Sequence, residues 1–440
     1  MKKLLSLLTT VMILVSCQTE KKGYKNIVTT DINNFWEAYD KITSTQDSTL
    51  QHQYLDSLYF KRGTEGLKAI RQVRNYTAQD YLNTINNYPE FWTSIRANTL
   101  KANQFGSELQ DGIEKFRKIY PDLKPAKIYF TIGAFRTNGT TLESLVLIGS
   151  ELAMADKHTI STEFPKEEQE DRRTFFDTNP IDNLVLLNIH EYVHTQQKPM
   201  VYNLLSLAIY EGVAEFVSVK AMGVPSAAPA IEFGKKNADR VREKFEQEMF
   251  YTNNRFKWLW SSGASNEFGV RDLIYYIGYQ MAENFYEQAE NKNEAIKKLI
   301  ELDYKNETEI EEFVHSTSFF SASLDELHQN FENKRPTVIG IKQFENNSQD
   351  VDSRTKEITI EFSQPLNGHN TGIDFGELGQ EAFPKGTLNG RRWSDDNKSW
   401  TIPVKLEPNK TYQLFITNNF RTREDIPLKP YLIEFKTGNK

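Results

Sequence analysis

The five residues His190-Glu191-Tyr192-Val193-His194, set inside the apolar run from Leu184 to Val193, constrain the fold more than any other stretch of the chain. Leu184, Leu187, Ile189 and Val193 recur at helical spacing and predict a helix with a broad apolar surface that has to be buried. Two imidazoles four residues apart share one face of such a helix, and the acid beside the first stays free. Polar groups buried there without partners cost roughly several kcal/mol, so the fold must bring other polar groups to that face. Imidazoles at this spacing can hold one zinc ion while Glu191 remains off the metal as a base. With seven His in 440 residues the pattern arises by accident in roughly one chain in a hundred, so a third ligand has to be found.

The start of this helix is written in Asn179 as a candidate N-cap, Pro180 at the first helical position and Asp182 in the first turn; Lys198-Pro199 ends it. A second helical stretch runs from Asn203 to Met222 and stops at Gly223 and Pro225. It carries Tyr210-Glu211-Gly212-Val213-Ala214-Glu215-Phe216, with Glu211 and Glu215 four apart on one face. From their spacing either acid can point at the two His across an antiparallel helix pair.

Taken together, His-Glu-x-x-His and, after sixteen intervening residues, Glu-Gly-x-Ala-Glu-Phe resemble the gluzincin metallopeptidases, including their aminopeptidase branch. The interval is a little shorter than in that branch, and no Gly-x-Met-Glu-Asn-type exopeptidase motif lies upstream. The overall pattern looks closer to predicted zinc-dependent protease lipoproteins of Bacteroidetes-type bacteria. The resemblance implies that Glu211 is the third ligand of a single Zn2+ with His190 and His194, and that Glu215 is a supporting group behind them. It implies peptide hydrolysis with Glu191 as general base, a peptide or protein substrate, and a Tyr donor for the oxyanion, for which Tyr276 and Tyr279 are the candidates.

The remainder divides by period. The first seventeen residues form an address: Lys2-Lys3, an apolar stretch from Leu4 to Val15 too short to span a bilayer, and Leu14-Val15-Ser16-Cys17, which looks like the lipobox of bacterial lipoproteins. Cys17 is the only Cys in the chain, which suits a lipid attachment site and excludes an internal disulfide. The expectation is a body tied by lipid to a membrane, in the cell envelope and at the outer membrane of such bacteria, with residues 18–29 as tether. A formal charge of −7 with no basic stripe argues against a nucleic-acid partner.

Residues 30–335 are expected to make the catalytic domain, with a helical bundle to about Asp122, a small sheet near 127–149, metal helices over 180–222 and more helices to Asn333. Within the sheet, Lys127 to Ile132 and Leu145 to Gly149 read as strands and Asn138-Gly139-Thr140-Thr141 as a loop or turn. By analogy with the edge strands of zincins, Leu145, Leu147 and Gly149 are placed along an extended substrate. Residues 336–440 change to short alternating strands divided by turn clusters and resemble bacterial Ig-like domains, an all-β sandwich. The expected class is therefore α+β: a mainly helical zincin-like domain followed by an Ig-like one. Two other readings share these motifs. One is a non-catalytic zincin-fold envelope scaffold for secretion or motility, and the other a glycan- or peptide-binding lipoprotein led by its tail. The free acid Glu191 favours catalysis, since a structural zinc site needs ligands but no base.

Overall fold

A computed structural model describes residues 26–259, 266–386 and 389–439; Cys17, the signal stretch and most of the tether lie outside the described residues. Among those described, no helix is long and apolar enough to cross a membrane. The class is α+β, with two compact units. The first comprises the chain up to Pro199 together with Tyr210–Pro229 and Phe285–Asp303; the second comprises Met200–Ile209, Ala230–Asn284 and Tyr304 onward.

The first unit opens with helices α1 (Thr30–Thr43), α2 (Ser48–Tyr54, running on as a π-helical turn to Phe60), α3 (Glu65–Val73), α4 (Ala78–Asn87), α5 (Pro89–Thr99) and α6 (Gly106–Ile119). The aromatic stripes are packed faces: Phe35 meets Trp36 at 5.1 Å, Trp92 at 5.0 Å and Tyr59 at 5.4 Å between ring centroids. Starts are fixed by caps, with Asp47 accepting from Thr49 and Leu50 and a reciprocal capping box between Thr77 and Asp80. Tyr59 ties the bundle to the sheet, its hydroxyl donating to Ile132 O at 2.6 Å and accepting from Ile132 N at 2.9 Å.

The sheet has strands β1 (Ile27–Val28), β2 (Lys127–Thr131), β3 (Gly139–Leu142) and β4 (Leu145–Gly149) in the order β1-β2-β4-β3. β1 and β4 both pair parallel to β2, and β3 returns antiparallel to β4 with Leu142 opposite Leu145. Two expectations are corrected here. Asn138-Gly139 does not open a loop: Gly139 to Leu142 is a strand, stabilised by β-branched Thr140 and Thr141 and closed by a two-residue turn in which Glu143 takes a φ of 52°. Leu145, Leu147 and Gly149 are not on an edge, because β4 spends one side of its backbone on β2 and the other on β3. The edge strand beside β4 is β3, and β1 forms the opposite edge.

After β4, α7 (Ser150–Ala153) buries Glu151 completely. Its carboxyl accepts from Gly133 N at 2.9 Å and Phe135 N at 3.2 Å, which shapes the loop leading into β3. Burial pushes the Glu151 pKa up to about 7, against the pull of those N–H donors. The charged segment expected as loop or helix is α8 (Lys166–Asp177).

The motif helix is α9 (Leu184–His194), entered through a 3-10 turn over Pro180–Asn183. Asn179 is not its cap: it sits in the left-handed region at φ 49°, and its side chain accepts from Lys157 N at 3.0 Å instead. The following helix, α10 (Leu204–Met222), stops at Gly223 with φ 68°.

In the second unit α11 (Pro229–Lys236), α12 (Ala238–Glu248), α13 (Arg255–Trp258) and α14 (Ile274–Gln288, up to Asn284) precede α16 (Glu307–Thr317) and α17 (Leu324–Lys334); the end of α14 from Phe285 and α15 (Lys292–Glu301) belong to the first unit. The tail contributes β5 (Val338–Ile341), β6 (Glu357–Phe362), β7 (Ile373–Asp374), β8 (Arg392–Trp393), β9 (Ser399–Pro403), β10 (Thr411–Ile416) and β11 (Tyr431–Lys436). They form antiparallel sheets β5-β6-β9-β8 and β11-β10-β7 that share one core around Ile358, Ile360, Trp400, Leu414, Ile433 and Phe435.

Candidate metal centre

Helix α9 is held to the sheet by its own motif. Tyr192, 1 % exposed, accepts from Ala126 N at 2.7 Å just ahead of β2 and reaches Lys124 O at 3.3 Å. That bond fixes the rotation of the helix about its axis and with it the direction of His190 and His194. Their Nε2 atoms come within 3.1 Å of one another. Glu211, carried by α10, brings Oε2 to 3.6 Å from His190 Nε2 and 3.4 Å from His194 Nε2. These three residues offer one converging set of donor atoms able to hold a metal ion.

The outward nitrogens are engaged as well. His190 Nδ1 lies 3.0 Å from Glu215 Oε2, and the other oxygen of Glu215 accepts from the Ser226 hydroxyl. His194 Nδ1 lies 2.7 Å from Gln197 Oε1, while Gln197 Nε2 donates to Tyr210 O at 3.0 Å. Since both Nδ1 partners are acceptors, each Nδ1 donates outward and each Nε2 is left facing the other and Glu211. Two lone pairs and a carboxylate at such distances repel unless a cation joins them. Burial disfavours the charged form of His190, yet the hydrogen bonds it donates to Glu211 and Glu215 prevail and raise its pKa to about 10. Burial likewise works against the charge on Glu211, and the His194 and His190 partners hold its pKa well below the usual carboxylate range.

Glu191 stands apart from the converging donors. It is 7 % exposed, and its carboxylate lies against the backbone of Gly139, where a Cβ would come within 2.5 Å of Oε1. Burial raises its pKa, opposed by the charges of His194 and His190. Tyr210 stacks on the His194 ring with centroids 4.5 Å apart and planes at 12°.

The structure thus brings together His190, Glu191, His194, Glu211 and Glu215 from the sequence reading. Tyr276 and Tyr279 belong to the second unit, in α14, and their surroundings there are core packing: Tyr276, 1 % exposed, covers Gly234 and meets Phe319, and the Lys235 ammonium sits over the Tyr279 ring. Sequence reasoning missed Gln197, Ser226 and Gly139. Gln197 and Ser226 carry no signal beyond being polar near the motifs. Gly139 carried one, a glycine in a β-prone run, which marks close approach of another group.

No protein-family profile matches the chain, and no curated protein matches it. Two solved structures similar to it are described as the surface layer protein SbsC, domains 1-6, and the S-layer protein rSbsC(31-844), at 13 % and 12 % identity and a TM-score of 0.16 in each case. Each match covers 66 % of this chain, which spans under half of those chains (44 %), and a likeness so slight bears on neither fold nor function.

Proposed function

We propose that the first unit is a zinc metallopeptidase of gluzincin type. One observation carries the reading. A tetrahedral zinc ion with bonds of about 2.0–2.1 Å separates its ligand atoms by about 3.3–3.4 Å. The His190, His194 and Glu211 donors stand 3.1, 3.4 and 3.6 Å apart, on side chains whose far nitrogens are already oriented by Glu215 and Gln197. Two imidazoles with one carboxylate are also the donor chemistry that zinc takes in catalytic sites, leaving a fourth position open.

Zinc held there supplies a Lewis acid that polarises a peptide carbonyl and acidifies water. Glu191 accepts the proton of the attacking water and delivers it to the leaving amine; its burial keeps the carboxylate basic enough for both transfers. Glu215 fixes the tautomer and direction of His190. The tail is read as an Ig-like sandwich, supported by two antiparallel sheets on one core. Cys17 is read as the lipid anchor in the cell envelope; release of a Cys17→Ala protein from membranes tests this.

The deciding experiment measures bound zinc and cleavage of a peptide library for the wild type, Glu191→Gln and His190→Ala. The expected result is one zinc per chain in the wild type and in Glu191→Gln, with activity lowered by about 10²–10⁴ in the latter. His190→Ala loses both. A wild type that binds no zinc overturns the reading.

A further inference from the structure

We propose that Arg74 is a substrate-binding residue of this centre and that it takes a carboxylate of the peptide; the inference rests on the metallopeptidase reading above. Arg74 is the C-cap of α3, and its Nη2 donates to Gly139 O at 3.4 Å, on the strand whose backbone touches the Glu191 carboxylate.

What distinguishes Arg74 is how little it is used. A guanidinium has five N–H donors. Here one makes a long bond to a carbonyl, and the buried Nε has no partner. Arg62 is paired with Glu37 and Arg136 with Asp80, and Arg71, which like Arg74 has an unpartnered Nε and no ion pair, lies over the Phe60 ring at 3.5 Å; Arg74 forms no ion pair with any carboxylate among the described residues. A bond at the far end of the hydrogen-bond range is a poor strand clamp. An arriving carboxylate would receive a two-pronged, charge-assisted pair from it. The need for such a group is electrostatic: the carboxyl groups of Glu191, Glu211 and Glu215 gather at this centre and oppose the approach of an acidic substrate. The carboxylate has two sources, a peptide C-terminus or an acidic side chain beside the scissile bond.

The test uses the full chain loaded with zinc and one peptide in three forms: free C-terminal acid, C-terminal amide, and amide with a Glu beside the cleaved bond. One of the two carboxylate forms is expected to exceed the neutral amide in kcat/KM by about tenfold or more, and which one identifies the source. Arg74→Gln should remove that preference while changing the neutral amide less than about threefold, and Arg74→Lys should restore part of it. Equal cleavage of all three forms by the wild type, or equal slowing of all three in Arg74→Gln, overturns the inference. Calorimetry with an acetylated dipeptide acid separates it from the parent reading. If no peptide is cleaved, the peptidase reading fails. Binding of the dipeptide acid by the wild type and not by Arg74→Gln still supports the role of Arg74, and no binding by either overturns it.

Discussion

Gly139→Ala tests how the site positions Glu191, the base of the proposed peptidase. A methyl group on Gly139 would lie 2.5 Å from Glu191 Oε1, 2.9 Å from Cγ and 3.0 Å from Cδ, where ordinary contact begins near 3.4 Å. The strand is locked to β4 from Gly139 to Leu142, so the flexible partner is the Glu191 side chain, which must withdraw by about 1 Å at its carboxylate. The backbone at Gly139 is not in the left-handed region, so the substitution adds no strain of its own. Overpacking of this kind costs about 1–3 kcal/mol, and here the lower end is expected because only a side-chain terminus moves. Misplacing a catalytic group by about 1 Å costs on the order of 10²-fold in rate. The expected variant therefore melts within a few degrees of wild type, keeps one zinc per chain, and loses about 10²-fold in kcat with little change in KM. Thermal unfolding, zinc analysis and steady-state peptide hydrolysis supply the three numbers. Undiminished kcat would refute the argument, and loss of zinc would show that β3 positions the metal ligands rather than the base.

Three further outcomes follow from the same geometry. Removing the carboxylate behind His190 in Glu215→Gln should weaken zinc binding by about 10–100-fold in competition with a chelator, and Gln197→Ala should act in the same direction through His194; unchanged affinity in both would show that the outward nitrogens do not matter. Glu151 has its pKa raised from 4.5 to about 7, so the folded state binds the extra proton. Its contribution is complete below about pH 4.5 and is lost as pH rises to 7, by up to about 3 kcal/mol, and Glu151→Gln should abolish that slope in denaturant titrations across the window. In the tail, Ile360→Ala should destabilise by about 2–5 kcal/mol, because Ile360 is fully buried in the core shared by both sheets; a midpoint shift worth under about 1 kcal/mol would contradict that packing.

The legible parts of this chain were those written as period or spacing. His190 and His194 at i and i+4, and the apolar surround of Glu211 and Glu215, specify two buried helices whose polar groups need each other. The tail strands showed in their alternation, as at Glu357–Phe362. The order of strands was not legible: polar, short β3 (Gly139-Thr140-Thr141-Leu142) reads as a loop, which left the apolar β4 outermost and the substrate edge assigned to it. The Asn-Gly pair misled for a different reason, because the same dipeptide serves a turn by its permissive φ or a strand by its missing side chain. Gln197, Ser226 and Arg74 stand singly in the sequence, and single polar residues have no period to read.

The hydroxyl of Tyr192 has a consequence for what the short motif means. In a pattern written His-Glu-x-x-His this position is a blank, yet its phenol holds Ala126 N across 66 residues of sequence. Three side chains of the same turn thus face two ways, His190 and His194 toward Glu211 and Tyr192 toward the start of β2. The blank couples the chemistry to the rest of the unit, so the Ala126 amide should exchange its hydrogen only in openings that also release the imidazoles. A graft of the pattern into another helix would carry the ligands but not this tether, and would hold metal on a helix free to turn.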